Sequence, residues 1–275
     1  PNTGVAAGRV RLIDATALRA PGGGQWRLHV SYDLADQRLA QVELTDSAGA
    51  ESLRRFAGAA GEVSVVDRGY AKASDLADWR AGEGDFIVRL GWNALRLCTP
   101  QGAPLELGTL FDRLPEHGVA DLAVSVALDR ARKQRLPLRL VVLALSEADA
   151  ARNRQRARWR AKKQGKRVQA MTLRAAGFVL LLTSLDATRC AAPDVLAFYR
   201  LRWQIELAFK RLKSIVHLDD LPAKDPDLVR SWIYAKLIVA LLLEDTTCVA
   251  LDSPPCAQSR APAQRVALAH AASAA

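Results

Sequence analysis

Three alternating apolar runs open the chain with only short turns between them: Arg9 to Thr16, Trp26 to Asp33 and Leu39 to Leu44. A side-chain period of two belongs to strands that bury one face. Gly22-Gly23-Gly24 supplies a flexible turn after the first run, so three consecutive antiparallel strands are expected. A helical stretch is read from Ser47 to Ala60, then a short strand from Val63 to Val66 that ends at Asp67-Arg68-Gly69-Tyr70. A second helix around Ser74 to Ala81 and a strand from Asp85 to Leu90, stopped by Gly91, complete this part. The order β-β-β-α-β-α-β predicts an α/β fold with a mixed sheet flanked by helices.

The stretch from Gly91 to Gly177 has a different character, with short alternating runs at Leu95 to Thr99, Leu122 to Leu128 and Leu138 to Leu145 between Pro and Gly turns. It reads as a mostly β insertion. Inside it, Arg152, Arg154, Arg156, Arg158, Arg160, Lys162, Lys163, Lys166 and Arg167 form a basic run interleaved with Ala, Gln and Trp159. Two readings stay open for that run, a solvated or poorly ordered arm and a phosphate-contacting surface. Phe178 to Ser184 restores an apolar strand, Pro193 opens a long helix to about Val216, and another apolar helix runs from about Asp227 to near Glu244. The expected division is a core in two parts, 1–90 and 178–245, the β-rich insertion 91–177 and a weakly ordered tail 246–275.

Composition narrows the class. Half of the 275 residues are apolar and a quarter are charged, enough to bury a core and incompatible with global disorder. Lys and Arg number 39 against 29 Asp and Glu, and this excess of ten positive charges points toward a polyanionic partner. Cys98, Cys190, Cys248 and Cys256 lie far apart without a C-x-x-C pair, which indicates neither a zinc site nor a disulfide framework. No uncharged apolar run approaches the roughly 18 residues of a membrane span. No secretory signal precedes the first strand, and a cytoplasmic protein is expected.

The long helix holds the sharpest signal. At about 100° per residue, Tyr199, Arg202, Glu206, Lys210 and Lys213 fall within an arc of roughly 80°, while Leu201, Ile205, Ala208 and Leu212 lie on the opposite side. One helix would thus dock its apolar face on the sheet and present a carboxylate flanked by cations. An ordinary amphipathic helix with an Arg202–Glu206 ion pair is the rival explanation. Asp14 and Asp67 each stand at or near the end of an apolar strand, in Leu12-Ile13-Asp14 and Val65-Val66-Asp67. Such residues often only cap turns. With Glu206 they also make a hard-oxygen set suited to a pair of Mg²⁺ or Mn²⁺ ions, which activate water and steady the leaving oxygen in phosphodiester cleavage.

The spacing Tyr199-x2-Arg202-x3-Glu206-x6-Lys213 resembles the Y-R-E-K signature of DDE transposases of the insertion sequence four family, found in bacterial insertion sequences. Leu-Ile-Asp14-Ala-Thr16 and Val-Val-Asp67-Arg-Gly69-Tyr70 resemble its two Asp motifs. The resemblance implies an RNase H-like core with a β-rich insertion before the helix bearing the Glu. It implies catalytic, metal-holding roles for Asp14, Asp67 and Glu206, and DNA contacts by Tyr199, Arg202 and Lys213; Lys210 joins these DNA-contact candidates from its place on the same helical stripe. Trp92 becomes a candidate to stack on a displaced base, with a core role as the alternative. His29 and Asp33 stay outside the metal set. The implied activity is cut-and-paste transposition on double-stranded DNA, at terminal inverted repeats and a target, by a dimer, in a bacterial cytoplasm and on the nucleoid when DNA is bound. Pro1 in place of an initiator Met and the Pro- and Ala-rich end read as truncation relative to that family. Two other readings are a catalytically silent DNA-binding remnant and an RNase H-fold nuclease.

Overall fold

A computed structural model describes residues 8–250 of the chain. Its strands are β1 (Val10–Arg19), β2 (Gln25–Asp33), β3 (Arg38–Asp46), β4 (Val63–Val66), β5 (Asp85–Arg89), β6 (Leu97–Cys98), β7 (Val119–Ala127), β8 (Arg135–Ala144) and β9 (Phe178–Thr183). All nine form a single sheet in the order β3-β2-β1-β4-β5-β9-β8-β7-β6. The expected three-stranded meander is present, with β1–β2 and β2–β3 antiparallel. β4 and β5 then add parallel to β1 on its other side. β9 returns antiparallel to β5, and β8, β7 and β6 continue from it. Strands from the stretch 91–177 therefore extend the same sheet.

The helices are α1 (Ala73–Ala81), α2 (Leu107–Arg113), α3 (Glu147–Lys163), α4 (Ala170–Ala175), α5 (Ala192–Leu201), α6 (Trp203–Ile215) and α7 (Pro226–Ala250). Because strand side chains alternate, the sheet feeds two separate cores. Leu12, Val65, Ile87, Val141 and Leu181 face one side, where Val195 and Leu196 of α5, Ile205, Ala208, Phe209 and Leu212 of α6, and Val229, Ile233 and Leu237 of α7 cover them. Ile13, Val66, Phe86, Val88, Leu140 and Leu182 face the other side, against Leu76 and Trp79 of α1 and Phe111 of α2. Phe111 also stacks on Phe178 with ring centroids 4.1 Å apart.

Several local expectations are corrected. The stretch Ser47 to Ala60 is not a helix; it holds only a short 3₁₀ turn at Leu53–Arg55. Its polar side chains bond outward instead, Ser52 to Asp75, Arg54 to Asp78 and Arg55 to Glu43. Gly49 and Gly58 further weaken a helix there. The long helix after Pro193 is two helices, α5 and α6, meeting at Arg202. Arg202 keeps helical dihedrals, but its N–H reaches Tyr199 C=O at 3.1 Å and Ile205 N–H reaches Arg202 C=O at 3.2 Å, a local 3₁₀ tightening. The basic run is an ordered helix through Lys163, α3, rather than an unstructured arm. Ser146 caps its N-terminus, Glu147 and Asp149 occupy the first turn, and Arg160, Lys162 and Lys163 occupy the last, all matching the helix dipole. α7 continues to Ala250 rather than ending near Glu244, and from residue 251 the expected tail lies outside the described residues.

Candidate active site

Asp14 is not at the end of β1: pairing with β2 carries that strand on to Arg19. The parallel pairing with β4, however, stops at Ile13↔Val66. Asp14 and Asp67 are the next residues on two neighbouring strands, which run about 4.8 Å apart. By alternation Asp14 shares a face with Leu12, and Asp67 with Val65, the face that α5 and α6 cover. Register and parity thus bring two sequence-distant aspartates together beneath the helices that carry Tyr199, Arg202 and Glu206.

Those helices close on them. The Tyr199 hydroxyl donates to Asp67 Oδ1 at 3.0 Å. Arg202 donates from Nη1 to Asp14 Oδ2 at 3.1 Å and from Nη2 to Glu206 Oε1 at 2.5 Å, so one guanidinium bridges strand and helix carboxylates. The ion pair between Arg202 and Glu206 is therefore real, but its arginine is 15% exposed and also serves Asp14, unlike a pair on an open helix face. Lys213 Nζ reaches Ala17 C=O of β1 at 3.3 Å. Lys210 is exposed on α6 and takes no part in these bonds. Trp92 is half-buried beyond β5, with Nε1 donating to Thr172 Oγ1 at 3.1 Å; its ring and Asp67 line a common cavity.

The electrostatics separate the two aspartates. Burial pushes the Asp14 carboxyl up to about 6, reinforced by Glu51 and Asp67 and opposed by the Ala15 N–H and Arg202. Burial acts the same way on Asp67, but the Arg68 N–H, Arg202, the Tyr199 hydroxyl and Arg89 outweigh it and hold that carboxyl below its ordinary value. Burial, and then the Asp67 charge, push the Tyr199 phenol up, so it stays a donor at neutral pH. Burial lowers the Arg202 pKa, but Glu206, Tyr199, Asp67 and Asp14 override it and raise it further.

The structure adds residues that the sequence reading passed over. Glu51 lies in the loop that was expected to be helical, and its carboxylate packs so tightly on Gly69 that a Cβ there would come 1.7 Å from Oε2. Only glycine allows that approach. The buried Tyr70 hydroxyl has no hydrogen-bond partner among the described residues, and its phenol is pushed up by burial, then by Asp14 and Glu51. Arg89 on β5 acts on both Asp67 and Tyr199. A charged residue inside the apolar run Phe-Ile-Val-Arg89-Leu was a usable sequence signal for it; Glu51 had none. His29 and Asp33 play structural parts. His29 Nε2 bonds Thr45 Oγ1 at 3.0 Å, and Asp33 caps the Ala35 and Asp36 N–H groups and pairs with Arg9 at 2.8 Å.

Among the described residues, no three His, Cys, Asp or Glu side chains are gathered as a metal-binding group. The Arg202 guanidinium stands between Asp14 and Glu206 and supplies the positive charge there. Oxygen donors of this kind suit a hard divalent cation, and a cation beside Asp14 would offset the burial that disfavours its anion. No helix among the described residues is long and apolar enough to cross a membrane.

Residues 6–242 match the family described as Transposase DDE domain. Over 259 residues the chain is 42% identical to the transposase for insertion sequence element IS421 of Escherichia coli, covering 92% of this chain and 70% of that protein. It is 26% identical over 273 residues to the transposase for IS231E of Bacillus thuringiensis subsp. finitimus, covering 86% of this chain and 56% of that protein.

Proposed function

The chain belongs to the transposase DDE domain family, and with that premise we propose that Asp14, Asp67 and Glu206 are the catalytic carboxylates of a DNA transposase with an RNase H-like fold. The reaction is DDE-type cleavage at the ends of an insertion sequence followed by strand transfer. Water attacks an end phosphodiester in line and displaces its 3′-oxygen as a free hydroxyl; that 3′-hydroxyl then attacks a target phosphodiester and displaces the target strand's own 3′-oxygen. Mg²⁺ or Mn²⁺ held by the three carboxylates would supply charge neutralisation at the reacting phosphate.

This chain's own residues do the remaining work. Tyr199 orients Asp67 by its hydrogen bond and, after the Arg68 N–H and Arg202, helps to hold it ionised. Arg202 holds Asp14 and Glu206 in the free protein, and its planar donors match a phosphate oxygen of bound DNA. Lys213 and Lys210 extend the positive stripe along the DNA backbone, and Trp92 offers an aromatic wall beyond Asp67. The core is read as 1–90 and 178–245 with 91–177 between them, and the working unit as a dimer with one copy at each DNA end.

One observation carries the reading: residues of the tyrosine-to-lysine spacing contact both strand aspartates, Tyr199 to Asp67 and Arg202 to Asp14 and Glu206. The test is divalent-dependent nicking of DNA that carries the terminal inverted repeats. Glu206→Gln is expected to bind that DNA and leave it intact. Unchanged nicking by the variant would remove Glu206 from the site.

A further inference from the structure

A cavity of about 630 Å³ opens beside Asp67, between α3 and the end of the sheet. Its size is that of an ordinary ligand site, roughly 300–1,000 Å³, but its lining is unlike one. Arg68, Arg89, Arg156, Arg160, Lys166 and Arg167 all contribute, and Asp67 is the one acidic residue lining it among the described residues. The positive groups come from separate parts of the chain: the turn after β4, the end of β5, two successive turns of α3, and the segment after α3. Most of these groups are solvent-exposed, but they converge on one cavity from separate parts of the chain rather than lining a single helix face.

The pattern within α3 sharpens this. Arg152 pairs with Asp149 and Arg154 with Glu147, so the acids at the start of the helix serve arginines outside the cavity. Arg156 and Arg160, spaced to lie on one face, turn to the cavity, and no ion pair among the described residues involves them. Arg89 Nε is buried without a hydrogen-bond partner among the described residues, although the Arg89 side chain also bonds the Tyr199 hydroxyl. A buried donor left unpaired is costly, and Arg89 itself lines the cavity, where an anionic oxygen would offer its guanidinium a partner. The Trp92 ring, fixed by its bond to Thr172, forms one wall.

We propose that this cavity is a phosphate subsite, in which Arg68, Arg89, Arg156 and Arg160 hold a DNA phosphodiester flanking the one presented to Asp67. The inference rests on the active-site reading above and adds a site to it. Guanidinium groups match phosphate oxygens by paired donors, and several on one phosphodiester fix the strand's register without reading its bases. In this role α3 anchors the strand on the side of Asp67 away from Arg202.

The test compares Arg156→Ala/Arg160→Ala with Arg152→Ala/Arg158→Ala, which removes the same charge from α3 outside the cavity. All four positions are on the helix, and alanine favours it, so both variants should keep the wild-type circular dichroism. Binding to a short inverted-repeat duplex is measured against salt in EDTA, where no cleavage is read and the result is independent of the catalytic assignment. The cavity variant should lower the salt slope by about one and weaken binding several-fold, with the control unchanged. Inorganic phosphate, at matched ionic strength with chloride, should compete with DNA on the wild type but not on the cavity variant. Equal losses in both variants, or none in either, would overturn the proposal. So would phosphate binding that the cavity variant loses while its DNA salt slope stays that of the wild type, because the site would then serve a free anion.

Discussion

Replacing Asp14 by Asn should make the protein more stable at neutral pH while removing its activity. The Asp14 carboxyl has an ordinary value of 3.8 and is pushed up to about 6 in the folded chain, chiefly by burial. Its side chain is 19% exposed, so solvent screening removes little of this effect. Between those two values the folded state holds a proton that the unfolded chain has already released. Stability therefore falls as pH rises through this window, and the full penalty is present above about pH 6. A shift of this size corresponds to about 3 kcal/mol. Asparagine carries no charge and its Oδ1 can still accept the Ala15 N–H that Asp14 accepts at 2.8 Å. The variant should gain roughly 1–3 kcal/mol over the wild type at pH 7.5, relative to their difference at pH 4. Urea unfolding of both proteins across that range, in EDTA so that no cation offsets the penalty, reads the difference directly. A difference that does not change with pH, or that grows in favour of the wild type as pH rises, would refute the claim that burial dominates at Asp14.

Glu51→Gln removes a negative charge that raises the Asp14 pKa, so the pH window separating wild type from Asp14→Asn should move downward in the Glu51→Gln background; the same unfolding series checks it. Gly58→Ala should cost about 1–3 kcal/mol by overpacking. Its Cβ would meet the Trp79 ring at 2.8 Å, and that ring is buried and tied to Asp85 C=O at 3.2 Å, so it has nowhere to go. Thermal unfolding reads this loss, and an unchanged midpoint would show that the loop at Gly58 yields instead.

Much of the sheet was legible because its signal is local. Alternation marked the strands, and apolar runs such as Val63 to Val66 marked those buried on both faces. What the runs could not supply was register. That Ile13 pairs with Val66, and so sets Asp14 beside Asp67, is a long-range fact without a local trace. The segment Ser47 to Ala60 misled for the opposite reason. Its alanines and arginines favour a helix, but bonds from Ser52, Arg54 and Arg55 to distant acids decide its path. The helical wheel placed Tyr199, Arg202 and Glu206 on one stripe correctly, yet could not foresee the 3₁₀ turn at Arg202 or the bridge it makes to Asp14. In the basic run, charge alone left a solvated or poorly ordered arm and a phosphate-contacting surface both open; the Ser146 cap and the early acids favour an ordered helix. Glu51 and the arginines around the cavity enter the site only through tertiary packing.

The central claim is that one set of carboxylates both cuts an element end and joins it to new DNA. Two substrates test it side by side in Mg²⁺: intact inverted-repeat DNA, and the same DNA already nicked to expose the 3′-hydroxyl. Wild-type protein should nick the first and transfer the second into a target duplex. Glu206→Gln should bind both and do neither. Joining of the pre-nicked end by that variant would contradict a single shared site.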